Sequence, residues 1–310
     1  MPVTKVVVLA AVFLSACTLQ RWQPAKSSAV DDHMSHMGAA DLRAPMTRTS
    51  STSGQGTSGI PAGAADAEAR LKASNRHAEW VKIPWESGST DSLMAWVVYP
   101  MTTGKAPVVI VIHEIFGLQT WVRGVADQLA ADGFIAIAPD LLSNVRGGPS
   151  TTELTGDSAR KLISQVNPAI MNRGVTAAAK YGMSLPSAEK KYGVVGYCWG
   201  GSAVWNHAVF SGKQLAAGVV YYGSAPPNDS LSKIQAPLLG LLGGTDNRVN
   251  TTVVRADSTM KTLSKSFEYR AFDGAQHGFL RAQDVPANLE ASKLGWPMTV
   301  AFFKKNLGVK

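Results

Sequence analysis

Seven residues, Ala106-Pro107-Val108-Val109-Ile110-Val111-Ile112, form an apolar run with no polar position on either face. A strand of this kind has no side to offer to water. It belongs inside a parallel sheet covered by helices on both faces. Phe134-Ile135-Ala136-Ile137-Ala138-Pro139 repeats the pattern. Between the two runs, Val122, Val125, Ala126 and Leu129 keep helical spacing, and Gly133 supplies the stop. Strand, helix and strand in this order predict a right-handed crossover. Two further buried strands are expected at 215–222 and 237–242, with a short apolar strand at 192–197 and a last strand at 267–272, after an early strand pair at 80–84 and 93–100. Helices are expected over 153–165, 168–185, 199–210 and 251–263. The segment 284–306 also reads as helical, broken in two at Pro297. The fold class is therefore α/β, with a mostly parallel central sheet and helices on both faces.

Open α/β sheets bind ligands at the carboxyl ends of their strands. Four polar breaks fall there. The first is Gly196-Tyr197-Cys198-Trp199-Gly200, a Gly-x-Cys-x-Gly turn between an apolar strand and a helix. It has the form of a nucleophile elbow with Cys in place of Ser. Gly196 and Gly200 fit the positions where strand and helix crowd each other. The turn lifts the sulfur above the sheet and leaves backbone N–H groups at the helix N-terminus facing whatever it attacks. The second break is Gly243-Gly244-Thr245-Asp246, and the third is Asp273-Gly274-Ala275-Gln276-His277. Nucleophile, acid and histidine then occur in the order Cys198, Asp246, His277, which is the order of α/β-hydrolases. In such a triad His277 takes the thiol proton while Asp246 orients the imidazole. Asp257 and Asp273 are weaker candidates for the acid. One falls inside an expected helix, and the other is too near His277 in sequence to come from a separate strand end. The fourth break, His113-Glu114-Ile115-Phe116-Gly117, follows the Ala106–Ile112 strand.

Residues 1–16 read as a signal peptide. The apolar run from Val6 to Leu14 is too short to span a bilayer and ends in Leu14-Ser15-Ala16-Cys17. That ending resembles the lipobox of bacterial lipoproteins, which implies lipidation of Cys17. Thr18, and not Asp, follows Cys17, so the expected address is the cell envelope, on the outer membrane facing the periplasm. The chain has only 2 cysteines. With Cys17 carrying lipid, Cys198 has no disulfide partner, and a lone thiol in an oxidising compartment is better explained by use than by accident. Residues 17–75 are poor in large aliphatic side chains and are expected to be a lipidated, disordered tether, with the globular domain at 76–310. The tether holds His33-Met34-Ser35-His36-Met37. These are soft copper ligands in type, but two His-Met repeats do not make a coordination cage. No metal or other cofactor is expected. The net charge of +8 is not gathered into a basic run, and aromatic residues are not interleaved with it. This argues against nucleic acid as a partner. A monomer acting on a small molecule is expected.

From about residue 93 onward the chain resembles the dienelactone hydrolase family. The resemblance is carried by His-Glu-Ile-Phe-Gly at 113–117, Ala-Pro-Asp-Leu at 138–141, Gly-Tyr-Cys-Trp-Gly-Gly at 196–201, Tyr-Tyr-Gly at 221–223, Gly-Gly-Thr-Asp at 243–246 and His-Gly-Phe-Leu-Arg at 277–281. It implies an α/β-hydrolase fold and a Cys–His–Asp triad that opens a lactone through an acyl-thioester. It implies that Glu114 helps to deprotonate Cys198 when substrate enters. It also implies an oxyanion hole from the backbone N–H groups of Ile115 and Trp199, and a substrate carboxylate held by Arg281. A guanidinium suits that last task because its planar fork pairs a carboxylate in bidentate fashion. The family's second carboxylate-binding arginine would lie near Ser143-Asn144, and here Arg146 stands slightly displaced from it. Two alternatives share the sequence evidence. One is a broader carboxylesterase or thioesterase on the same scaffold. The other is a catalytically inactive, lipid-tethered binding protein.

Overall fold

The structure is a computed structural model and describes residues 56–150, 154 and 156–308. The signal peptide at 1–16, Cys17 and the His-Met stretch at 33–37 lie outside the described residues. Eight strands form one sheet: β1 (Ala78–Pro84), β2 (Ser92–Val98), β3 (Ala106–Ile112), β4 (Ile135–Pro139), β5 (Ala188–Tyr197), β6 (Ala217–Tyr221), β7 (Leu238–Gly243) and β8 (Phe267–Phe272). Their spatial order is β1-β2-β4-β3-β5-β6-β7-β8. β1 pairs antiparallel with β2, and β2 with β4, while every pairing from β4 through β8 is parallel. All seven residues of β3 are buried, as the absence of a polar face requires. β8 closes the sheet at its far edge with Glu268, Tyr269 and Arg270 exposed, and charged side chains there discourage pairing with another chain.

Nine helical segments surround the sheet among the described residues. They are α1 (Ala67–Lys72), α2 (Thr120–Ala131), α3 (Ser143–Arg146), α4 (Gly156–Ile163), α5 (Pro168–Ser184), α6 (Trp199–Ser211), α7 (Asn247–Thr262), α8 (Pro286–Leu307) and a 3-10 turn at Asn228–Lys233. α5 and α6 pack together and against the central strands. α2 and α8 meet through Trp296, whose indole N–H donates to Asp132 just past the end of α2. Asn167 caps α5 by accepting from the N–H groups of Ala169 and Ile170, with Pro168 at the first helical position.

Two expectations are corrected. Pro297 does not break the last helix: α8 runs through it for 22 residues. Proline removes one N–H bond, to the carbonyl of Lys293. Lys293 and Pro297 both lie on the exposed side, where water can satisfy that carbonyl. The opposite side buries Trp296, Thr299 and Phe303, and this burial offsets the local cost. The packed chain also begins well before residue 76. Ile60, Ala62 and Ala67 are buried. Arg76 forms a bidentate pair with Asp127 of α2, to which Ser74 also donates. Composition alone hid this because Gly, Ala and Pro dominate residues 56–67, and small residues can pack closely without large aliphatic side chains.

Candidate active site

The parallel strands deliver their carboxyl ends to one edge of the sheet, and every candidate residue of the triad emerges there. Cys198 connects β5 to α6 with φ 57° and ψ −116°. A positive φ is rare for a residue with a side chain and marks stored strain at a site held by its surroundings. The neighbours leave no room for Cβ atoms. One built at Gly196 would come within 2.1 Å of the Gly200 carbonyl oxygen, and one at Gly200 within 2.4 Å of the Ile112 carbonyl oxygen. The Cys198 N–H donates to the Tyr221 carbonyl at 3.1 Å, which ties the elbow to β6. Trp199 opens α6, so its N–H is one of the early helical donors with no partner inside the helix.

Asp246 caps α7, accepting from the Val249 N–H at 3.3 Å through Oδ1. Its Oδ2 holds His277 Nδ1 at 2.6 Å. Nε2 is thereby left for Cys198, whose side chain hydrogen-bonds His277. Burial works against the charged imidazole, but the charge and hydrogen bond of Cys198 and those of Asp246 outweigh it. They push the His277 pKa up to about 10. Burial likewise opposes ionisation of Asp246. The hydrogen bond and charge of His277, with Arg248 nearby, hold its carboxyl below the ordinary value. Sulfur, imidazole and carboxylate are thus linked in one chain, with the imidazole oriented for proton transfer at the sulfur. Asp273 and Asp257 take no part in it: Asp257 pairs with Lys261 one turn along α7.

Glu114 follows β3 and is buried. Its Oε2 meets Arg281 Nε at 2.8 Å. Arg281 also places its guanidinium 5.7 Å from the Phe116 ring centroid. The two residues assigned separate tasks by resemblance are therefore partners in this state. Ile115, the next residue, is fully buried. Arg146 ends α3 on the loop after β4 and is half-buried. Asp140 closes that loop by accepting from the Ser150 N–H at 2.5 Å and the Ser150 hydroxyl at 2.9 Å. Among the described residues no group of three or more His, Cys, Asp or Glu side chains is placed to hold a metal ion.

His113 and Tyr222 occur in the sequence only inside the motifs at 113–117 and 221–223. His113 is fully buried. Its Nε2 accepts the Leu141 N–H at 3.1 Å, so Nδ1 must carry the proton it gives to the Glu114 carbonyl at 2.5 Å. Burial lowers its pKa and keeps this neutral form, against the pull of Asp140 and Glu114. The ring stacks on Trp199 at 5.7 Å, so it braces the Glu114–Ile115 turn against the elbow. Tyr222 follows β6 with φ 39°. Its ring lies 5.1 Å from that of His277, and its buried hydroxyl has no hydrogen-bond partner among the described residues. The signal that could have found it is its place directly after a buried strand, at the same edge as the triad. A strained backbone and an unsatisfied hydroxyl both cost stability. Tyr222→Phe is therefore expected to hold or raise the melting temperature while lowering kcat about 100-fold, the lower end of what a positioned proton donor contributes. A thermal melt and steady-state kinetics on one preparation check this.

Residues 93–307 match the dienelactone hydrolase family model. A Methylorubrum extorquens protein named "Putative carboxymethylenebutenolidase" is 27% identical over 237 residues, which cover 73% of this chain and 80% of that protein. A protein of the same name from Escherichia coli strain K12 is 29% identical over 232 residues, covering 71% and 85%. The crystal structure of a "Putative Dienelactone Hydrolase" from Klebsiella pneumoniae superposes with a TM-score of 0.65 at 27% identity, covering 74% of this chain and 99% of that one.

Proposed function

The chain belongs to the dienelactone hydrolase family, and on that premise we propose that it hydrolyses an anionic lactone or ester through an acyl-thioester on Cys198. The observation that carries this reading is the Cys198–His277–Asp246 chain at the strand ends, together with the pair of buried Glu114 and half-buried Arg281. The Glu114–Arg281 pair suggests how the site responds to substrate. A substrate carboxylate competes with Glu114 for the guanidinium, and Glu114 is released towards the thiol. Glu114 or His277 takes the thiol proton. The thiolate attacks the carbonyl carbon, and the oxygen gains its charge against the N–H groups of Ile115 and Trp199. The carbon–oxygen bond of the ester then breaks. The departing alkoxide or enolate takes back the thiol proton from His277 or Glu114, which leaves His277 neutral. Water gives a proton to His277 and attacks the thioester, and the sulfur leaves as thiolate. The thiolate recovers its proton from the His277 imidazolium, the product acid loses its proton to solvent and leaves as a free carboxylate, and the enzyme returns to its starting state. Arg146, on the loop closed by Asp140, is the second candidate to hold the substrate's anionic group. The envelope address through lipid on Cys17 belongs to the same reading.

A broader carboxylesterase would use the same triad but not the Arg281 charge. The test compares dienelactone, a lactone that carries a carboxylate, with a neutral aryl ester. Arg281→Ala is expected to lower kcat/KM for dienelactone by about 100-fold, the scale of a lost charge-assisted pair. The neutral ester should change by less than about 3-fold. Equal losses on both substrates, or none on dienelactone, would favour the broader esterase.

A further inference from the structure

We propose that residues 57–73, which lie before the family match, are a strap that positions Arg281 and thereby sets the enzyme's preference for anionic substrates. The proposal rests on Arg281 as the carboxylate-binding group. The strap meets the turn after His277 at three points. The Ala64 N–H donates to the Arg281 carbonyl at 2.8 Å. Gln283 Nε2 donates both to the Pro61 carbonyl at 2.8 Å and to the Leu280 carbonyl at 2.9 Å. Gly63 lies flat against this turn, and a Cβ built there would stand 3.1 Å from the Arg281 carbonyl oxygen and 3.1 Å from Gln283 Cβ. Burial of Ile60 and Ala62 holds this part down.

The other end of the strap is fixed to the scaffold. Arg70 donates to the Thr57 carbonyl at 3.1 Å and to Gln128 Oε1 at 2.9 Å. Just beyond, Ser74 and Arg76 hold Asp127 of α2. A segment pinned at both ends therefore bonds the backbone of Arg281 itself. The turn it braces closes with the Arg281 N–H on the Gly278 carbonyl at 2.9 Å. This matters because arginine has a long stem, and ordering it at the moment of binding costs affinity. With its backbone fixed, only the side chain moves when the guanidinium passes from Glu114 to a substrate carboxylate. Residues 57–73 are positioning residues, since they act through Arg281 and touch none of the reacting groups.

Two variants in the full chain test this. Gln283→Met keeps the side-chain volume and removes the donor to Pro61. Gly63→Val forces the strap from the turn. KM and kcat are measured for dienelactone and for a neutral aryl ester, with melting temperature recorded and Arg281→Ala run in parallel. The expected result is a rise in KM for dienelactone of about 10-fold, within the effect that small misplacements produce. The neutral ester should keep its KM and kcat within about 2-fold. Folded variants that lose both substrates equally, or that leave the dienelactone KM unchanged while Arg281→Ala raises it, would overturn the strap. An Arg281→Ala variant with unchanged dienelactone KM would instead overturn the carboxylate-binding premise, and the strap proposal with it.

Discussion

Cys198→Ala is expected to abolish hydrolysis of dienelactone and of neutral esters alike, by at least about 10⁴-fold in kcat, as loss of the nucleophile does in other triad enzymes. The sulfur sits at the meeting point of the β5–α6 elbow and His277, with Asp246 behind the imidazole. No other cysteine among the described residues can replace it. His277 could still polarise a water, and the N–H donors of Ile115 and Trp199 would remain, so a small residual rate is compatible with the mechanism. The protein should stay folded, because alanine removes one buried atom and keeps the Cβ that the elbow already accommodates. Substrate binding should survive too, since Arg281 is untouched. A Cys198→Ala variant that retains more than about a tenth of the activity would remove the nucleophile from the site.

Gly196→Ala carries the largest expected effect on folding. Its added methyl would lie 2.1 Å from the Gly200 carbonyl oxygen and 2.4 Å from the carbonyl carbon. These are backbone atoms of the elbow, so no rotamer change relieves the clash. Either α6 must shift off β5, or the strand must move in the middle of the sheet. Both break packing that buries Val194, Val195, Val204 and Trp205. A loss of more than about 4 kcal/mol is expected, which few single substitutions reach, and the soluble yield should fall with it. Urea unfolding of wild type and variant measures the difference. A stable Gly196→Ala protein would mean that the elbow is looser than its contacts require.

Much of the sheet was legible because its strands have no polar face. The Ala106–Ile112 and Phe134–Pro139 runs could not be placed anywhere but in a covered parallel sheet. Cys198 and Asp246 were legible for a related reason: each follows such a run at the carboxyl edge of the sheet, and His277 follows the last strand, β8, at the same edge. The Glu114–Arg281 pair was not, because the two residues are far apart in sequence and nothing local tells two opposite charges to neutralise each other. Tyr222 was also missed. Its hydroxyl has meaning only through the strain at its backbone and the lack of a hydrogen-bond partner among the described residues, and both are three-dimensional facts. The strap resembles a tether in sequence because Gly, Ala and Pro look alike in a linker and in a closely packed segment. Pro297 misled in the opposite direction. Its local preference is real, but a helix with one face buried and the proline on the other can absorb it.

The central claim is that the acyl group passes through Cys198. The most direct measurement is acid quenching during the first turnovers of dienelactone and of an aryl ester, followed by peptide mass spectrometry. The expected result is the acyl mass on the peptide that contains Cys198, absent from Cys198→Ala. Turnover with no acyl mass on that peptide, at a rate that Cys198→Ala leaves unchanged, would contradict it.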